Sequence, residues 1–458
     1  MRKIILSIFI TFNLFYFSFA QKIFTNGNFV IIQNFESKIL NNKRTIRVYL
    51  PESYFNSTNY YPVLYAHDGQ NMFYDPKNKV KWDIDINLSN LVSSGKIKEV
   101  VVVGIDHMGV DRINEYTPFS LKSYGGGNAK LYGKFLVEEL IPFIEQNFRV
   151  KTNREDVGTF GSSLGGLVSL YLGLWYSEKF GILGCVSPSF WWGLETNITN
   201  VLNNIDKLKN TKIYIDMGYM EGGENESNFV YTTREIFFAL KRNNIDYPNL
   251  LYIEDKQGIH NEITWKERIK NFLIFALSKE KLSTNIVSAE VDIYPSEWGI
   301  GDKGFYFVRC FTPEGIERTM LDNRFVKLSK FKFVGEGLIE STEAGKGNVE
   351  FKWGNVSSYK EVDIGILSRK FGIGNISVFC VGTNVNFIVE YEDGKKTNYR
   401  IPLVFSYATN ELKVFSFSIT NQRGKSIKGR FEFDGVAEEK LRDIVINKKE
   451  KNYRFFVK

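Results

Sequence analysis

The apolar period of this chain changes once, near residue 278. Before that point, strand-like and helix-like segments alternate. Residues 63–66 and 100–105 are short continuous apolar runs, the pattern of strands covered on both faces. A helical stretch follows at 129–147, with Leu131, Phe135, Leu140 and Phe148 near its inner face. Next come an apolar run at 157–160 and a helix with Leu167, Leu170, Tyr171 and Leu174 on one side. Further strand-like runs lie at 182–186, 213–216 and 250–254, with a helix at 232–242. The last helix, to Leu277, carries Ile263, Ile269, Phe272, Leu273 and Ala276 on its apolar face. Such repetition predicts an α/β fold with a mostly parallel sheet, doubly covered by helices.

Residues 278–288 are polar and charged and read as a linker. Beyond them the period is two. Phe387, Val389 and Tyr391 alternate, as do Phe415, Phe417 and Ile419, and Phe431 and Phe433. Asp393-Gly394 is a hairpin signal, and Gly- and Pro-containing turns recur at short intervals. This predicts an all-β sandwich, in one module or in two that split near residue 368. Tyr294-Pro295-Ser296 followed by Gly301-Asp302 resembles bacterial Ig-like modules.

Composition adds limits. The chain has 458 residues, 43% hydrophobic and 24% charged, with a net charge of +7. No Lys/Arg block of the kind that binds nucleic acid is present. Met1-Arg2-Lys3 precedes an apolar run that ends Ser18-Phe19-Ala20 before Gln21. That is the pattern of a secretory signal peptide. An uncleaved anchor is the alternative, although a span needs about 20 apolar residues and this run is slightly short. The expected organisation is 1–20 signal peptide, 21–282 α/β domain able to fold alone, and 283–458 β region for polymer targeting or surface attachment. Three cysteines remain, Cys185, Cys310 and Cys380. Cys185 reads as buried, and a bond between Cys310 and Cys380 is one open pairing.

The chemistry centres on Gly161-Ser162-Ser163-Leu164-Gly165. It fits the G-x-S-x-G elbow, in which a serine sits on a strained turn between a strand and a helix. The flanking patterns are a strand before it and a helix after it. Serine needs a general base, usually histidine. The chain has only three, His67, His107 and His260. In α/β-hydrolases the base follows the nucleophile in sequence, which leaves His260, in a loop after a strand-like run.

At these residues the chain resembles the putative esterase family, the esterase-D-like branch of the α/β-hydrolases with feruloyl, acetyl-xylan and enterochelin esterases and mycolyltransferases. The segments that carry the likeness, over roughly residues 40–278, are Arg44-Thr45-Ile46-Arg47-Val48-Tyr49-Leu50-Pro51, Tyr61-Pro62-Val63-Leu64-Tyr65-Ala66-His67-Asp68-Gly69-Gln70-Asn71, Glu115-Tyr116-Thr117-Pro118, the elbow, and Ser187-Pro188-Ser189-Phe190-Trp191-Trp192. The resemblance implies an acid three residues after a glycine, which is Glu221 counted from Gly218; Glu224 and Asp216 stay open. It also implies oxyanion-hole amides from Leu164 and from Gly69 or Gln70, with Gln70 favoured. Trp191 and Trp192 are candidate substrate-stacking residues, one of them equally readable as core. Arg112 and Glu115 read as a loop ion pair, and His107 as a loop-packing residue. No metal spacing or cofactor fingerprint is found, so neither is expected.

The expected function is a secreted serine esterase acting on small-molecule or polysaccharide esters, including sugar-linked and aromatic-acid esters. Two rivals stay open. One is an acyltransferase with the same triad. The other is a surface adhesin with a degenerate hydrolase domain and a glycan-binding β region.

Overall fold

The computed structural model describes residues 22–26, 28–75, 81–221, 226–294, 298–299 and 301–365, and beyond these the strands 370–373, 381–390, 396–404, 414–420, 426–432, 441–447 and 454–457. The signal-peptide segment, Glu224, Cys380 and the split near 368 lie outside the described residues. The chain divides into two compact units.

The first unit is Met1–Val186 with Asp206–Ile213 and Ala276–Lys279. Its strands are β1 (Lys22–Asn26), β2 (Phe29–Ser37), β3 (Asn42–Tyr49), β4 (Val63–His67), β5 (Val101–Ile105), β6 (Val157–Ser162) and β7 (Ile182–Val186). They follow the sheet order β1-β2-β3-β5-β4-β6-β7. The pairs β1–β2, β2–β3 and β3–β5 are antiparallel. From there the sheet is parallel through β5–β4, β4–β6 and β6–β7. Parallel neighbours need a crossover. Helices α1 (Ile84–Ser93), α2 (Arg112–Tyr116), α3 (Ala129–Lys134), α4 (Ile141–Asn147) and α5 (Leu164–Trp175) lie in those connections. Every residue of β4, β5, β6 and β7 is buried, as expected of strands covered on both faces, including the polar His67, Thr159 and Ser162. Cys185 is buried in β7.

One predicted face is corrected. Leu131 is exposed, while Ala129, Tyr132 and Gly133 face inward. A π-helical turn, Phe135–Leu140, joins α3 to α4. Its longer repeat shifts the buried stripe, so a single 3.6-residue period drawn over 129–147 misassigns the first turn.

The second unit is Ser187–Ile205, Tyr214–Phe275 and Glu280–Lys458. It contains most of strand β8 (Lys212–Gly218), which pairs with β9 (Leu250–Asp255). Its helices are α6 (Leu194–Asn203), α8 (Glu226–Arg242) and most of α9 (Glu262–Leu277); the single turn α7 (Ile205–Leu208) precedes β8. Ile263 is exposed in the first turn of α9, against expectation, whereas Ile269, Phe272 and Leu273 are buried.

From residue 288 the unit is strand-rich. Strands β10 (Ser288–Tyr294), β11 (Lys303–Phe311) and β12 (Glu317–Met320) belong to one sheet with Phe331–Gly335 and Leu338–Ser341. A second sheet holds Val326–Ser329, Gly345–Trp353 and Val356–Gly365. Val291, Ile293, Tyr306 and Val308 of the first share one hydrophobic cluster with Val349, Phe351 and Ile364 of the second. Further along, Val381–Glu390 and Lys396–Val404 pair antiparallel; the hairpin signal Asp393-Gly394, between them in sequence, lies outside the described residues. The fold is thus α/β and hydrolase-like, followed by a strand-rich region.

Candidate active site

The elbow is built by close approach. A Cβ on Gly161 would stand 3.0 Å from His67 Cβ, and one on Gly165 would stand 3.3 Å from the same atom. Both glycines therefore let the turn press onto the end of β4. Between them Ser163 adopts φ 59°, ψ −121°. For a residue with a Cβ this region is strained, at a cost on the order of 1–3 kcal/mol. Ser163 N–H donates to Val186 O at 3.0 Å. Ser163 and Leu164 are half-buried within a buried stretch. The chain then enters α5, whose first amides and dipole favour negative charge.

The loop after β4 carries the other oxyanion candidates. Asp68 has φ 58° and opens a short 3-10 turn, Gly69–Asn71. Gly69 packs on Gly104 too closely for any side chain. Gln70 Oε1 accepts from His107 N–H at 3.1 Å, and Lys81 donates to Gln70 O. His107 Nδ1 accepts from Gly109 N–H at 2.9 Å, a loop-packing role. The Arg112–Glu115 pair does not form. Arg112 forks onto Asp68 at 2.7 and 2.8 Å, and Glu115 accepts from the buried Arg44 at 2.6 and 3.0 Å. These contacts join residues 44 and 71 positions apart, which short-range spacing does not reveal.

His67 is fully buried between Tyr132 OH, 2.9 Å from Nδ1, and Thr159 Oγ1, 3.0 Å from Nε2. Burial pushes its pKa down to about 3, with Asp68 opposing and Arg112 assisting. It is a neutral structural histidine.

The second unit holds the acid and base candidates. Glu221 Oε2 lies 2.8 Å from His260 Nδ1. Its other oxygen, Oε1, accepts from Ser187 Oγ at 2.6 Å, Gly218 N–H at 2.7 Å and Arg268 Nη2 at 2.8 Å. Burial opposes ionisation of this carboxyl. The charge of Arg268 and the bonds from His260 and Ser187 overcome that, and its pKa is lowered. Asp216 is engaged elsewhere, by Ser187 N–H at 2.8 Å and Tyr214 OH at 2.7 Å, and burial raises its pKa.

The His260 ring is walled by aromatics. Trp265 meets it edge-on at 4.9 Å, and Phe229 lies near-parallel at 6.3 Å. Phe229 in turn contacts Trp191 at 6.3 Å. Trp192 is 1% exposed and belongs to the core. Met220, Ile259 and Ile263, close in sequence to Glu221 and His260, are all exposed. Among the described residues no group of three His, Cys, Asp or Glu could hold a metal.

Sequence reading gave no site role to Ser187, Arg268 or Phe229, naming Ser187 only within a family-like segment. Ser187 has φ 41° at the end of β7, which a serine gives no hint of. Arg268 looks like one more polar residue of α9. Only Phe229, an aromatic in a polar stretch, left a trace.

The model of the "Putative esterase" family matches residues 37–276. The chain belongs to this esterase family. The uncharacterized protein YbbA of Bacillus subtilis (strain 168) is 26% identical over 249 residues, covering 52% of this chain and 94% of that protein. An endo-1,4-beta-xylanase/feruloyl esterase of Xylanibacter ruminicola is 29% identical over 213 residues, 44% of this chain and 26% of the relative. A solved ferulic acid esterase aligns with TM-score 0.42 at 20% identity, covering 54% of this esterase and 97% of that chain.

Proposed function

We propose that this esterase is a secreted serine hydrolase of carboxylic esters, with Ser163 as nucleophile, His260 as base and Glu221 as its orienting acid. The observation that carries the reading is the 2.8 Å pair of Glu221 Oε2 and His260 Nδ1. A carboxylate on Nδ1 fixes the tautomer and leaves Nε2 for proton transfer. Ser163 Oγ attacks the ester carbonyl carbon as Nε2 takes its proton. The backbone N–H groups of Leu164 and Gln70 stabilise the oxyanion. The imidazolium returns the proton to the departing alkoxide, and water releases the acid from the acyl-enzyme by the same steps. The strained elbow at Ser163 supports the nucleophile assignment independently.

For the substrate, Trp191 and Phe229 supply an aromatic wall. Such a wall suits a sugar ring or an aromatic acyl group. The endo-1,4-beta-xylanase/feruloyl esterase relative favours a feruloyl-type ester. Export would follow cleavage after Ala20. The β region would hold the enzyme to polymer or to the cell surface.

A hydrolysis screen with nitrophenyl acetate, acetyl-xylan and methyl ferulate tests the reading. Turnover of at least one, abolished in Ser163→Ala, is expected. Silence on all three, with no nitrophenol burst, would overturn it. Faster product formation when an alcohol acceptor is added would move the assignment to acyl transfer.

A further inference from the structure

Strand β11 is buried over five consecutive residues, from Gly304 to Val308. An antiparallel strand with one face on its own core should alternate. Tyr306, Val308 and Cys310 do point into the shared core. Phe305 and Phe307 therefore face the other way, yet each is only 1% exposed. Their cover comes from residues of the hydrolase fold within the same unit. The ring of Tyr219 stacks on Phe307 at 4.9 Å and 22°, and lies 6.5 Å from Phe305 and 5.3 Å from Tyr294. The Arg234 guanidinium sits 4.4 Å above the Phe305 ring.

Buried polar groups fix the same seam. Arg234 forks onto Glu254 at 2.6 and 2.7 Å and donates to Gly337 O at 2.9 Å. Tyr219 OH donates to Glu254 Oε2 at 2.8 Å. Glu254 N–H donates to Thr319 Oγ1 at 2.8 Å, and Glu317 N–H to Asn271 Oδ1 at 3.0 Å. Buried charges of this kind tolerate no loss of a partner.

Tyr219 stands two residues before Glu221. Its own N–H donates to Asp255 O at 2.9 Å, and Met220 N–H donates to Gly258 O at 3.0 Å. The Gly218–Glu221 turn is thus tied on one side to the loop that bears His260, and on the other to the aromatic face of β11. We propose that this face is a positioning element. Phe307 holds the Tyr219 ring, and through it sets the register between Glu221 and His260. The strand-rich region at 288–365 then contributes to the catalytic apparatus, besides any targeting role of the β region. The inference rests on the reading of Glu221 and His260 as acid and base.

The test uses the full-length chain and four proteins: wild type, Phe307→Leu, Val349→Ala and Glu221→Gln. Leucine keeps apolar volume while removing the ring stack. Val349 lies in the same strand-rich core but carries none of the Tyr219 contacts, so it reports general loss of stability. Small misplacements of catalytic groups cost rate steeply. Phe307→Leu should therefore lower kcat on a nitrophenyl ester by about tenfold with KM within about twofold. Val349→Ala, measured at the same margin below its own Tm, should keep kcat near wild type. Equal losses in Phe307→Leu and Val349→Ala would overturn the positioning role while Glu221→Gln remains impaired. A fully active Glu221→Gln would instead remove the acid assignment, and the positioning role with it.

Discussion

Arg268 Nη2 and Glu221 Oε1 lie 2.8 Å apart, both side chains withdrawn from solvent. Arg268 also stands 3.4 Å from Asp216 and 3.7 Å from Asp255. One buried guanidinium thus sits among three carboxylates, of which only Glu221 faces a histidine. The consequence is selective. Glu221 is held ionised against its own burial, while Asp216 is pushed up by burial. Environments that drive neighbouring carboxyls apart assign their roles.

Arg268→Gln should expose that dependence as a change in pH response. In the wild type the Glu221 pKa is lowered on folding. Its contribution is in place above the unfolded value, about 4.3, and is lost as pH falls through the lower folded value. Without Arg268, the strongest influence opposing burial is gone, the bonds from His260 and Ser187 remain, and the pKa rises. The variant should be less stable by about 3–5 kcal/mol near pH 7, with the deficit shrinking as pH falls below about 5. Thermal unfolding from pH 4 to 7 reads this directly. A deficit independent of pH would separate Arg268 from the ionisation of Glu221.

Ser163 carries a backbone conformation at odds with its side chain, φ 59°. Ser163→Ala keeps the Cβ and the strain, whereas Ser163→Gly removes both. Each should lose about three or more powers of ten in kcat. Their stabilities should differ, the glycine variant melting above the alanine variant because glycine accepts positive φ freely. Calorimetry of the two inactive proteins decides it. A glycine variant that melts lower would show that the elbow is not strained.

Much of this was legible in the sequence where the constraint is local. The elbow shows because glycines at 161 and 165 leave room for a tight approach to His67, and because Ser163 follows a wholly buried strand. Strands β4 to β7 show because burial on both faces leaves short runs that are mostly apolar or small. The Glu221 register was carried by resemblance, since no local rule fixes a loop carboxylate. Arg268 and Ser187 were invisible because they meet Glu221 across 47 and 34 positions. The double burial of β11 was equally hidden. A run such as Phe305-Tyr306-Phe307-Val308 states that both faces are covered, and says nothing of what covers them.

His67 should govern stability in a higher pH window than Glu221. Its pKa is pushed down to about 3, chiefly by burial, against about 6.5 in the unfolded chain. The unfolded chain therefore binds a proton below pH 6.5 that the folded one refuses. Stability falls as pH drops from about 6.5, by up to about 1.4 kcal/mol per unit from this group. His67→Gln removes the titration while keeping polar atoms near Tyr132 and Thr159. Urea unfolding at pH 7, 6 and 5 should give a flatter profile for the variant than for the wild type, even if its stability at pH 7 is lower. Parallel profiles would show that His67 is protonated in the fold.

The two tandem tryptophans should separate binding from stability. Trp192 is buried, and Asn197 Nδ2 donates to its carbonyl at 2.9 Å. Trp192→Ala should cost about 3–5 kcal/mol in unfolding free energy. Trp191 is half-buried and reaches Phe229, which lies near-parallel to His260. Its truncation removes wall, not core, so Tm should barely move. An aromatic contact of this kind is worth about 0.5–1.5 kcal/mol, which is about two- to tenfold in kcat/KM. The loss should appear in KM, because a wall touches ground state and transition state alike. It should also be larger for methyl ferulate than for nitrophenyl acetate if the aromatic acyl group is what stacks there. Equal losses on the two esters would place the Trp191 contact on the alcohol side of the bond. No loss on either would return Trp191 to a packing role.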